Sequence, residues 1–264
     1  MGFTPKDRYD AQDLVRIVAQ LRAPQGGCPW DREQTHSSIR MNFIEETYEA
    51  VDAIDQNDAH LLCEELGDVM LQIALHSQME AEKGTFCFDD VCDGICKKLI
   101  YRHPHVFGEE SAATTGQALA NWEALKNAEK GRATAKDRLE SVPRCFPALM
   151  RAAKLQKRAA AYGFADQAPE QAWEAAKEEL AELEQNGQAN AVDQVGNLLF
   201  AAVGMARALG VDPEQALTVA SDRFQSRVIR CEELVGSEKL AQLNEEERRA
   251  LWQQADEREQ SSKV

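Results

Sequence analysis

Two groups of acidic residues lie close together in the sequence and could act in the same chemistry. Glu45, Glu46 and Glu49 form the first group, and Glu65 and Asp68 form the second. Residues three or four positions apart share a face of an α-helix, so Glu46 projects beside Glu49 and Glu65 beside Asp68. The connection between the groups is short, which predicts an antiparallel helical hairpin on which four carboxylates converge.

Four converging carboxylates indicate a site for a hard cation. Carboxylates in one place repel one another, whereas Mg²⁺ binds about six oxygens and keeps waters that phosphate oxygens can replace. The simpler alternative is a solvated acidic surface, because the chain has 45 acidic residues against 30 basic ones. Gly67, inside the second helix, predicts the close approach of a neighbouring backbone or ligand. The predicted apolar seam of the hairpin consists of Ile44, Tyr48, Val51, Leu62, Leu66 and Val69.

Basic and aromatic residues further along the chain have the spacing expected of a nucleotide site. Lys98 and Arg102 are four residues apart near the end of one predicted helix, and Trp122 and Lys126 repeat that spacing on the next. Lys and Arg side chains bind phosphate oxygens, and a Trp ring can stack on a base. The alternative is ordinary surface charge with a core Trp, and both interpretations stay open on spacing alone.

The overall composition excludes several classes of protein. The chain has 264 residues and a formal charge of −15, and no basic stripe offsets repulsion by a nucleic-acid backbone. No stretch approaches the roughly 18 apolar residues of a membrane span, and the charged N-terminus is unlike a secretory signal. Seven cysteines with scattered spacing favour reduced thiols. We therefore expect a cytoplasmic protein that binds neither nucleic acid nor membrane.

Helical periodicity dominates the sequence and predicts an all-α fold. Residue types that favour helices recur throughout, whereas aromatic residues make up only 6%. Gly and Pro residues interrupt the pattern at 131–146, and the order of helices before this break recurs after it. We predict two tandem helical domains, at residues 1–130 and 147–264, with a linker between them.

Several motifs taken together resemble the MazG family of nucleoside triphosphate pyrophosphohydrolases. The resemblance covers nearly the whole chain and rests on Gly27-Cys28-Pro29-Trp30-Asp31, the two acidic groups, Arg102-His103-Pro104-His105-Val106-Phe107 and Trp122. It implies a four- to five-helix fold in each domain and a homodimer. It also implies Mg²⁺-dependent hydrolysis of nucleoside triphosphates to nucleoside monophosphate and pyrophosphate, with Mn²⁺ as an alternative cation.

The resemblance also implies a role for each residue of the site. The expected metal ligands are Glu46, Glu49, Glu65 and Asp68. Glu45 would assist the metal site or orient the attacking water, which makes Glu45, Glu46 and Glu49 the catalytic group. Phosphate would be bound by Lys98 and Arg102, and the remaining substrate contacts would come from Trp122 and Lys126.

The second half of the chain keeps part of this pattern and loses part of it. The residues that keep it form a second candidate nucleotide site, which comprises Glu178, Glu179, Glu182, Arg223, Arg227 and Trp252. The counterparts of Glu65 and Asp68, however, are the neutral amides Gln194 and Asn197. Losing two negative charges weakens Mg²⁺ binding, and Asp193 lies about 100° further round the helix. We therefore predict a catalytic first half and a second half with a degenerate metal site.

Other functions fit parts of the sequence. A noncatalytic helical scaffold, or a nucleotide-binding regulatory dimer, would need only the helices and the basic residues. A di-iron bundle needs Glu-x-x-His motifs, but the partner of Glu65 is Asp68. A zinc site could draw on Cys87, Cys92, Cys96, His103 and His105, although their spacing is not that of a usual zinc site. We expect His103-Pro104-His105 to end a helix and position Arg102, while Asp31 either caps a helix or reaches the active site.

Overall fold

The protein folds into helices throughout the part of the chain that can be described. The computed structural model describes residues 5–109, 111–165, 168–186 and 190–261. Within those ranges every regular element is a helix, which confirms the all-α prediction. The chain divides into two compact units, one ending at Lys126 and the other beginning at Asn127. The segment 131–146, predicted as a linker, contains a helix at Ala135–Glu140.

The described part of the first unit contains the helices that carry the acidic groups. Asp10 and Asp13 form a capping box at its first helix, and Gly84, with φ of 73°, ends its longest one in the left-handed conformation. The helices are α1 (Ala11–Leu21), α2 (Pro29–Glu33), α3 (Arg40–Asp55), α4 (Ala59–Lys83), α5 (Phe88–Arg102), α6 (Pro104–Phe107) and α7 (Thr115–Glu129), of which the last three residues fall in the second unit.

Helices α3 and α4 form the predicted hairpin. Asn57 adopts a φ of 55° in the connection, which lets the chain reverse direction within a few residues. The Asp58 side chain then caps α4 by accepting hydrogen bonds from the backbone N–H groups of His60 (2.9 Å) and Leu61 (3.1 Å). Because α4 also packs against α1 and α5, it is the central helix of the first unit.

The prediction of an apolar seam between α3 and α4 is wrong. Ile44, Tyr48 and Val51 are 42%, 55% and 45% exposed, and the buried residues of α3 are Ala50 and Ala53. At about 100° per residue, the predicted seam lies on the opposite side of α3 from its acidic residues. The acidic face and the apolar stripe of α3 therefore cannot both face α4. The acidic residues share a side of α3 with the two buried alanines, and the apolar stripe is left exposed.

The apolar core of the first unit lies towards the other end of the hairpin. Ile39, just before α3, packs with Val18 of α1 and with Leu75 and Met79 of α4. All four side chains are nearly inaccessible to solvent. This cluster anchors the N-terminal end of α3 against α4, so Glu46 and Glu49, about two and three turns later, are held in a fixed register.

The second unit repeats the order of the longer helices of the first. A helix, a hairpin of two helices, a long helix and a final Trp-containing helix follow one another. Gln156 fixes α9 to α11, because its side chain donates to the Phe200 carbonyl (2.8 Å) and accepts from Arg207 (3.2 Å). The helices are α8 (Ala135–Glu140), α9 (Ala148–Ala160), α10 (Pro169–Asn186), α11 (Ala191–Ala208), α12 (Pro213–Val235), α13 (Ser237–Gln242) and α14 (Glu245–Ser261).

Two further predictions concern membranes and disulfides. Over the described ranges, no helix taken singly has the length and apolar composition needed to cross a bilayer. The one combination that passes such a test joins α11 and α12, which are bent by 105° relative to each other. All seven cysteines are free thiols, as their scattered spacing predicted.

Candidate active site

Three of the predicted metal ligands converge on the α3–α4 hairpin. Glu46 and Glu49 of α3 and Glu65 of α4 each place a carboxylate oxygen within 4.8 Å of the others. Glu46, Glu65 and Asp68 are half-buried, whereas Glu49 is exposed. Asp68 lies one turn beyond Glu65 and is close enough to Glu46 to act on its charge. The hairpin therefore brings together carboxylates from residues that are 19 positions apart in the sequence.

The acidic residues of this cluster destabilise one another when they are charged. Burial raises the pKa of Glu46 above its usual value of 4.5, and repulsion from Asp68, Glu49 and Glu65 raises it further. The pKa of Glu65 is also raised, first by burial and then by Glu49 and Asp68. A divalent cation among these oxygens would remove the repulsion, and an all-carboxylate donor set is one that hard cations prefer. The residues therefore fit a magnesium or manganese ion.

Glu45 and Gly67 lie beside the cluster. Glu45 is exposed and lies outside the group of three converging carboxylates, about 100° from Glu46 around α3. At Gly67, no described atom outside its own helix turn lies within 4 Å of where a Cβ would stand. The predicted close approach of a neighbouring backbone to Gly67 is therefore wrong for this chain.

A basic and aromatic group lies at the C-terminal end of α5. The Arg102 guanidinium lies 5.3 Å from the centre of the Trp122 ring, and the Lys126 ammonium lies 4.5 Å from it. Arg102 is only 8% exposed, and Lys126 also forms an ion pair with Glu123 at 3.4 Å. Two cationic side chains thus lie against one aromatic ring. Lys98, the fourth predicted substrate residue, is exposed one turn earlier on α5.

The turn after Arg102 ends α5, as the sequence predicts. A ring nitrogen of His103 lies 2.7 Å from the carbonyl oxygen of Leu99, one turn back, and Pro104 then begins the short helix α6. The His103 ring also contacts the His105 ring, at 5.6 Å between centroids. These contacts hold the end of α5 in place, so the histidines support the position of Arg102.

A buried arginine that the sequence analysis missed holds the motif before α3. The Arg22 guanidinium donates to the carbonyl oxygens of Asp31 (2.5 Å) and Gln34 (3.1 Å) and to both carboxylate oxygens of Glu82 (2.8 Å each). A Cβ on Gly27 would stand 2.4 Å from the Ala23 carbonyl oxygen, so only glycine fits there. Arg22 and Glu82 are 60 positions apart, and no local spacing indicates their pairing.

A second missed feature is a pair of histidines, His36 before α3 and His76 on α4. A Nδ1–Nδ1 distance of 2.7 Å joins His36 to His76, and the other ring nitrogen of His36 lies 2.7 Å from Glu80. A hydrogen bond from Lys83 and one from His36 lower the pKa of Glu80 to about 2. Burial and the neighbouring His36 lower the pKa of His76. This network joins the segment before α3 to the second half of α4.

The structure does not bring together the residues of the zinc alternative. Among the described residues, the three converging glutamates are the one group of three or more Asp, Glu, His or Cys side chains with ligand atoms close enough to share an ion. The cysteines considered for zinc are exposed. They are Cys87, Cys92 and Cys96.

The second candidate nucleotide site is brought together in part. Arg223, Arg227 and Trp252 line one cavity of about 240 Å³, and the Arg227 guanidinium lies 4.9 Å from the centre of the Trp252 ring. Arg227 also forms an ion pair with Asp256, which stands four residues after Trp252 as Lys126 stands after Trp122.

The acidic part of that second site lies on α10 and α11. Its glutamates, Glu178, Glu179 and Glu182, all lie on α10. The facing positions on α11 are Gln194, whose Oε1 is buried without a hydrogen-bond partner among the described residues, and the exposed Asn197. No group of converging acidic oxygens is found in the described part of this unit.

Sequence comparison identifies the class of protein that this all-helical unit with its acidic hairpin resembles: the MazG nucleotide pyrophosphohydrolase domain matches residues 34–107. That match covers α3, α4, α5 and α6, and it includes every acidic residue of the converging cluster.

Two curated relatives resemble nearly the whole chain. The nucleoside triphosphate pyrophosphohydrolase of Escherichia coli K12 is 40% identical over 249 residues, which are 91% of this chain and 95% of that protein. The nucleoside triphosphate pyrophosphohydrolase/pyrophosphatase MazG of Thermotoga maritima is 39% identical over 247 residues, 92% of this chain and 94% of that protein. The chain therefore belongs to the MazG family.

Proposed function

We propose that this protein hydrolyses nucleoside triphosphates, including deoxynucleotides, to nucleoside monophosphate and pyrophosphate, and that its first unit carries the reaction. The observation that carries the proposal is the convergence of Glu46, Glu49 and Glu65 on the α3–α4 hairpin. The names of the E. coli and T. maritima relatives support the same activity. The reaction would cleanse or control a nucleotide pool in the cytoplasm, where seven free thiols stay reduced.

Magnesium is the proposed cofactor, with manganese as the alternative. Glu46, Glu49, Glu65 and Asp68 would hold the cation, because they are the acidic residues whose charges act on one another across the hairpin. Bound there, the cation would neutralise phosphate charge and lower the pKa of water.

The remaining residues of the site would bind and orient the substrate. Arg102 is buried against Trp122, where solvent screens its charge poorly, and it would attract a phosphate oxygen there. Lys126 and the exposed Lys98 would add further phosphate contacts, and the Trp122 ring would stack on the base. Glu45, exposed beside the cluster, would orient the attacking water.

A homodimer is the proposed form of the enzyme. Several large apolar side chains of α3 and α5 are exposed in the single chain, which is unusual for a surface that faces only water. On α3 these residues include Tyr48 and Ile54, and on α5 they include Leu99 and Ile100, each 46–58% exposed. A second copy of the chain that covers this surface would remove the apolar area from water.

Nucleotide binding without turnover is the second candidate function, and it concerns the second unit. The cavity lined by Arg223, Arg227 and Trp252 favours it, since a cation beside an aromatic ring suits a nucleotide. The amides at Gln194 and Asn197 disfavour a metal and hence catalysis there. No nucleic-acid or membrane partner is proposed for either unit.

A pyrophosphate-release assay with matched variants in the two units tests the proposal. The full chain is given a panel of nucleoside triphosphates with Mg²⁺, with Mn²⁺ or with EDTA. We expect activity with either cation and none with EDTA. Glu46→Gln should abolish turnover, whereas the equivalent Glu179→Gln in the second unit should leave it unchanged, because only Glu46 belongs to the converging cluster.

Two results would contradict the proposal. Full activity of Glu46→Gln would remove the reaction from the first unit, and loss of activity in Glu179→Gln would place it in the second. Nucleotide binding without pyrophosphate release by the intact protein would instead support the regulatory dimer.

A further inference from the structure

Gln72 of α4 is a buried polar residue with an unsatisfied acceptor. The residue is 6% exposed, and its Oε1 is buried and has no hydrogen-bond partner among the described residues. Nearly all buried polar atoms in folded proteins have a partner, so an unpaired carbonyl oxygen needs an explanation.

Other buried polar side chains of the chain show what a structural role looks like. Gln156 is 3% exposed, and its amide both donates to Phe200 and accepts from Arg207. Ser77, on the same helix as Gln72, donates to the Ile73 carbonyl at 2.7 Å. Gln72 has no such bond from Oε1, so its carbonyl oxygen does not help to hold two elements together.

The helical register places Gln72 on the acidic face of α4. It lies about 20° from Glu65 and about 40° from Asp68 around the helix axis, one turn after Asp68. Side chains of a helix lean towards its N-terminus, so the Gln72 amide leans over the turn that carries Asp68. The register therefore places Gln72 on the same face of α4 as Glu65 and Asp68, one turn further along the helix.

The two halves of the chain differ at the position of Gln72 as well as at the acidic positions. When Glu65 is aligned with Gln194, Gln72 is aligned with Ala201. At this position the unit with the converging acidic residues has a buried amide and the other unit has a methyl group; the unpaired amide oxygen of the second unit lies at Gln194, the counterpart of Glu65.

We propose that the Gln72 carbonyl oxygen accepts a hydrogen bond from a water molecule in the acidic cluster and orients that water for attack on the triphosphate. The inference rests on the proposed function. Carboxylates and a carbonyl oxygen can only accept hydrogen bonds, so water is a donor that satisfies both at once. Gln72 is a positioning residue and makes no contact with phosphate.

The step that Gln72 assists is a hydrolysis. The oxygen of the oriented water forms the new P–O bond, and the anhydride bond between the α and β phosphates breaks. The bridging oxygen takes the electron pair, and a carboxylate of the cluster takes the proton from the water. Fixing both hydrogens of the water aims its lone pair at phosphorus, which affects turnover more than substrate binding.

Replacing Gln72 by a side chain of similar size without an acceptor tests the proposal. We expect Gln72→Met to lower kcat by about 10- to 100-fold, the range for residues that orient a metal site, with KM and Mg²⁺ affinity nearly unchanged. In the metal-free protein, Gln72→Met should melt no lower than the wild type, because it removes an unpaired buried oxygen. Gln72→Glu, which keeps an acceptor at that point, should recover part of the lost kcat.

Gln156→Met is the matched control, and it also separates this inference from the proposed function. It should melt lower than the wild type, because it loses two hydrogen bonds, and keep its kcat. A metal-free Gln72→Met that melts as low as Gln156→Met, or that keeps full kcat, would overturn the role of Gln72. If the wild type and Gln156→Met both release no pyrophosphate, the proposed function fails, and the melting comparison alone still decides whether the Gln72 oxygen is unpaired.

Discussion

The α3–α4 and α10–α11 hairpins share an architecture and differ in charge. Both consist of two packed helices, with Glu46 and Glu179 at equivalent positions. The first hairpin then adds Glu65 and Asp68, and the second has amides at those positions. The hairpin fold thus does not depend on the acidic residues, which instead make the first hairpin repel itself when it is charged. Charged residues that destabilise one unit, where the other unit has uncharged amides at the same positions, indicate a function in the first unit.

The basic and aromatic groups of the two units also differ in charge. In the first unit, Arg102 and Lys126 lie over one Trp ring, which concentrates positive charge there. In the second unit, Arg227 lies over Trp252, but Asp256 stands in the place of the lysine and pairs with the arginine. Compared with the first unit, the second unit thus has fewer negative charges on its hairpin and fewer positive charges beside its Trp ring.

The largest expected effect comes from giving the first unit the amides of the second. The double variant Glu65→Gln/Asp68→Asn should lose more than about 100-fold in kcat, since residues that merely orient metal ligands already cost 10- to 100-fold. Its helical circular dichroism should be unchanged, because the second hairpin folds with amides at both positions. Pyrophosphate release measured at saturating Mg²⁺ tests this expectation, and near-normal turnover would show that two acidic residues suffice.

Copying the second basic group into the first should have the next largest effect. Lys126→Asp would remove one cation from the Trp122 ring and put a negative charge near Arg102, as Asp256 does near Arg227. Hydrogen bonds to charged groups contribute about 1.5–3 kcal/mol each, so kcat/KM should fall by roughly tenfold to a hundredfold. Steady-state kinetics with one nucleoside triphosphate measure the change, and Lys177→Asp on α10 is the control, because that lysine is exposed. A KM that does not rise would exclude Lys126 from substrate binding.

A smaller effect is expected on the pH dependence of stability in the metal-free protein. Because the folded-state pKa of Glu46 and of Glu65 is raised, protonation stabilises the fold. That stabilisation is complete below the ordinary pKa of 4.5 and is lost as the pH rises through the raised values. The wild type should therefore lose more stability than Glu46→Gln between acidic and neutral pH, by no more than a few degrees of melting temperature.

Thermal melts across that pH range, with EDTA or with Mg²⁺, check this third prediction. Mg²⁺ should restore the stability of the wild type at neutral pH and have little effect on Glu46→Gln. The variant Glu179→Gln should follow the wild type at every pH. Parallel pH profiles for all three proteins would mean that the acidic cluster is not strained.

The smallest expected effect is at the glycine that both hairpins keep. A Cβ on Gly67 or on Gly196 would meet no described atom within 4 Å outside its own helix turn. Each Gly→Ala change should therefore stabilise its unit by up to about 1 kcal/mol, the cost of glycine inside a helix. Denaturant unfolding measures the gain. A loss of activity in Gly67→Ala, without such a loss in Gly196→Ala, would show that a substrate or a second copy approaches the first glycine closely.

Local spacing was enough to predict the acidic cluster and its hairpin. Glu46 and Glu49 share a helix face by periodicity alone, and the short connection after α3 fixes which helix they meet. The same periodicity failed for the seam, because it cannot say whether an apolar stripe such as Tyr48 and Val51 is covered by the same chain. The Arg22–Glu82 and His36–His76 contacts were missed because they join residues far apart in sequence.

The replacement of a lysine by Asp256 could have been read from the sequence. It stands four residues after Trp252, as Lys126 stands after Trp122, and only the comparison of these two positions was needed. Its partner, Arg227, could not have been identified in this way, because the ion pair depends on how α12 and α14 pack.

The 25 uninterrupted residues of α4 make one rod, roughly 37 Å long, out of segments that do separate work. Its early turns carry the acidic residues, and its last turn carries Glu82. Glu82 accepts hydrogen bonds from Arg22, which also donates to the Asp31 carbonyl, next to Trp30. A continuous helix of this kind has no break in its middle, so a displacement of one end also displaces the other. The acidic residues and the Glu82 that binds Arg22 are therefore carried by the same rigid helix.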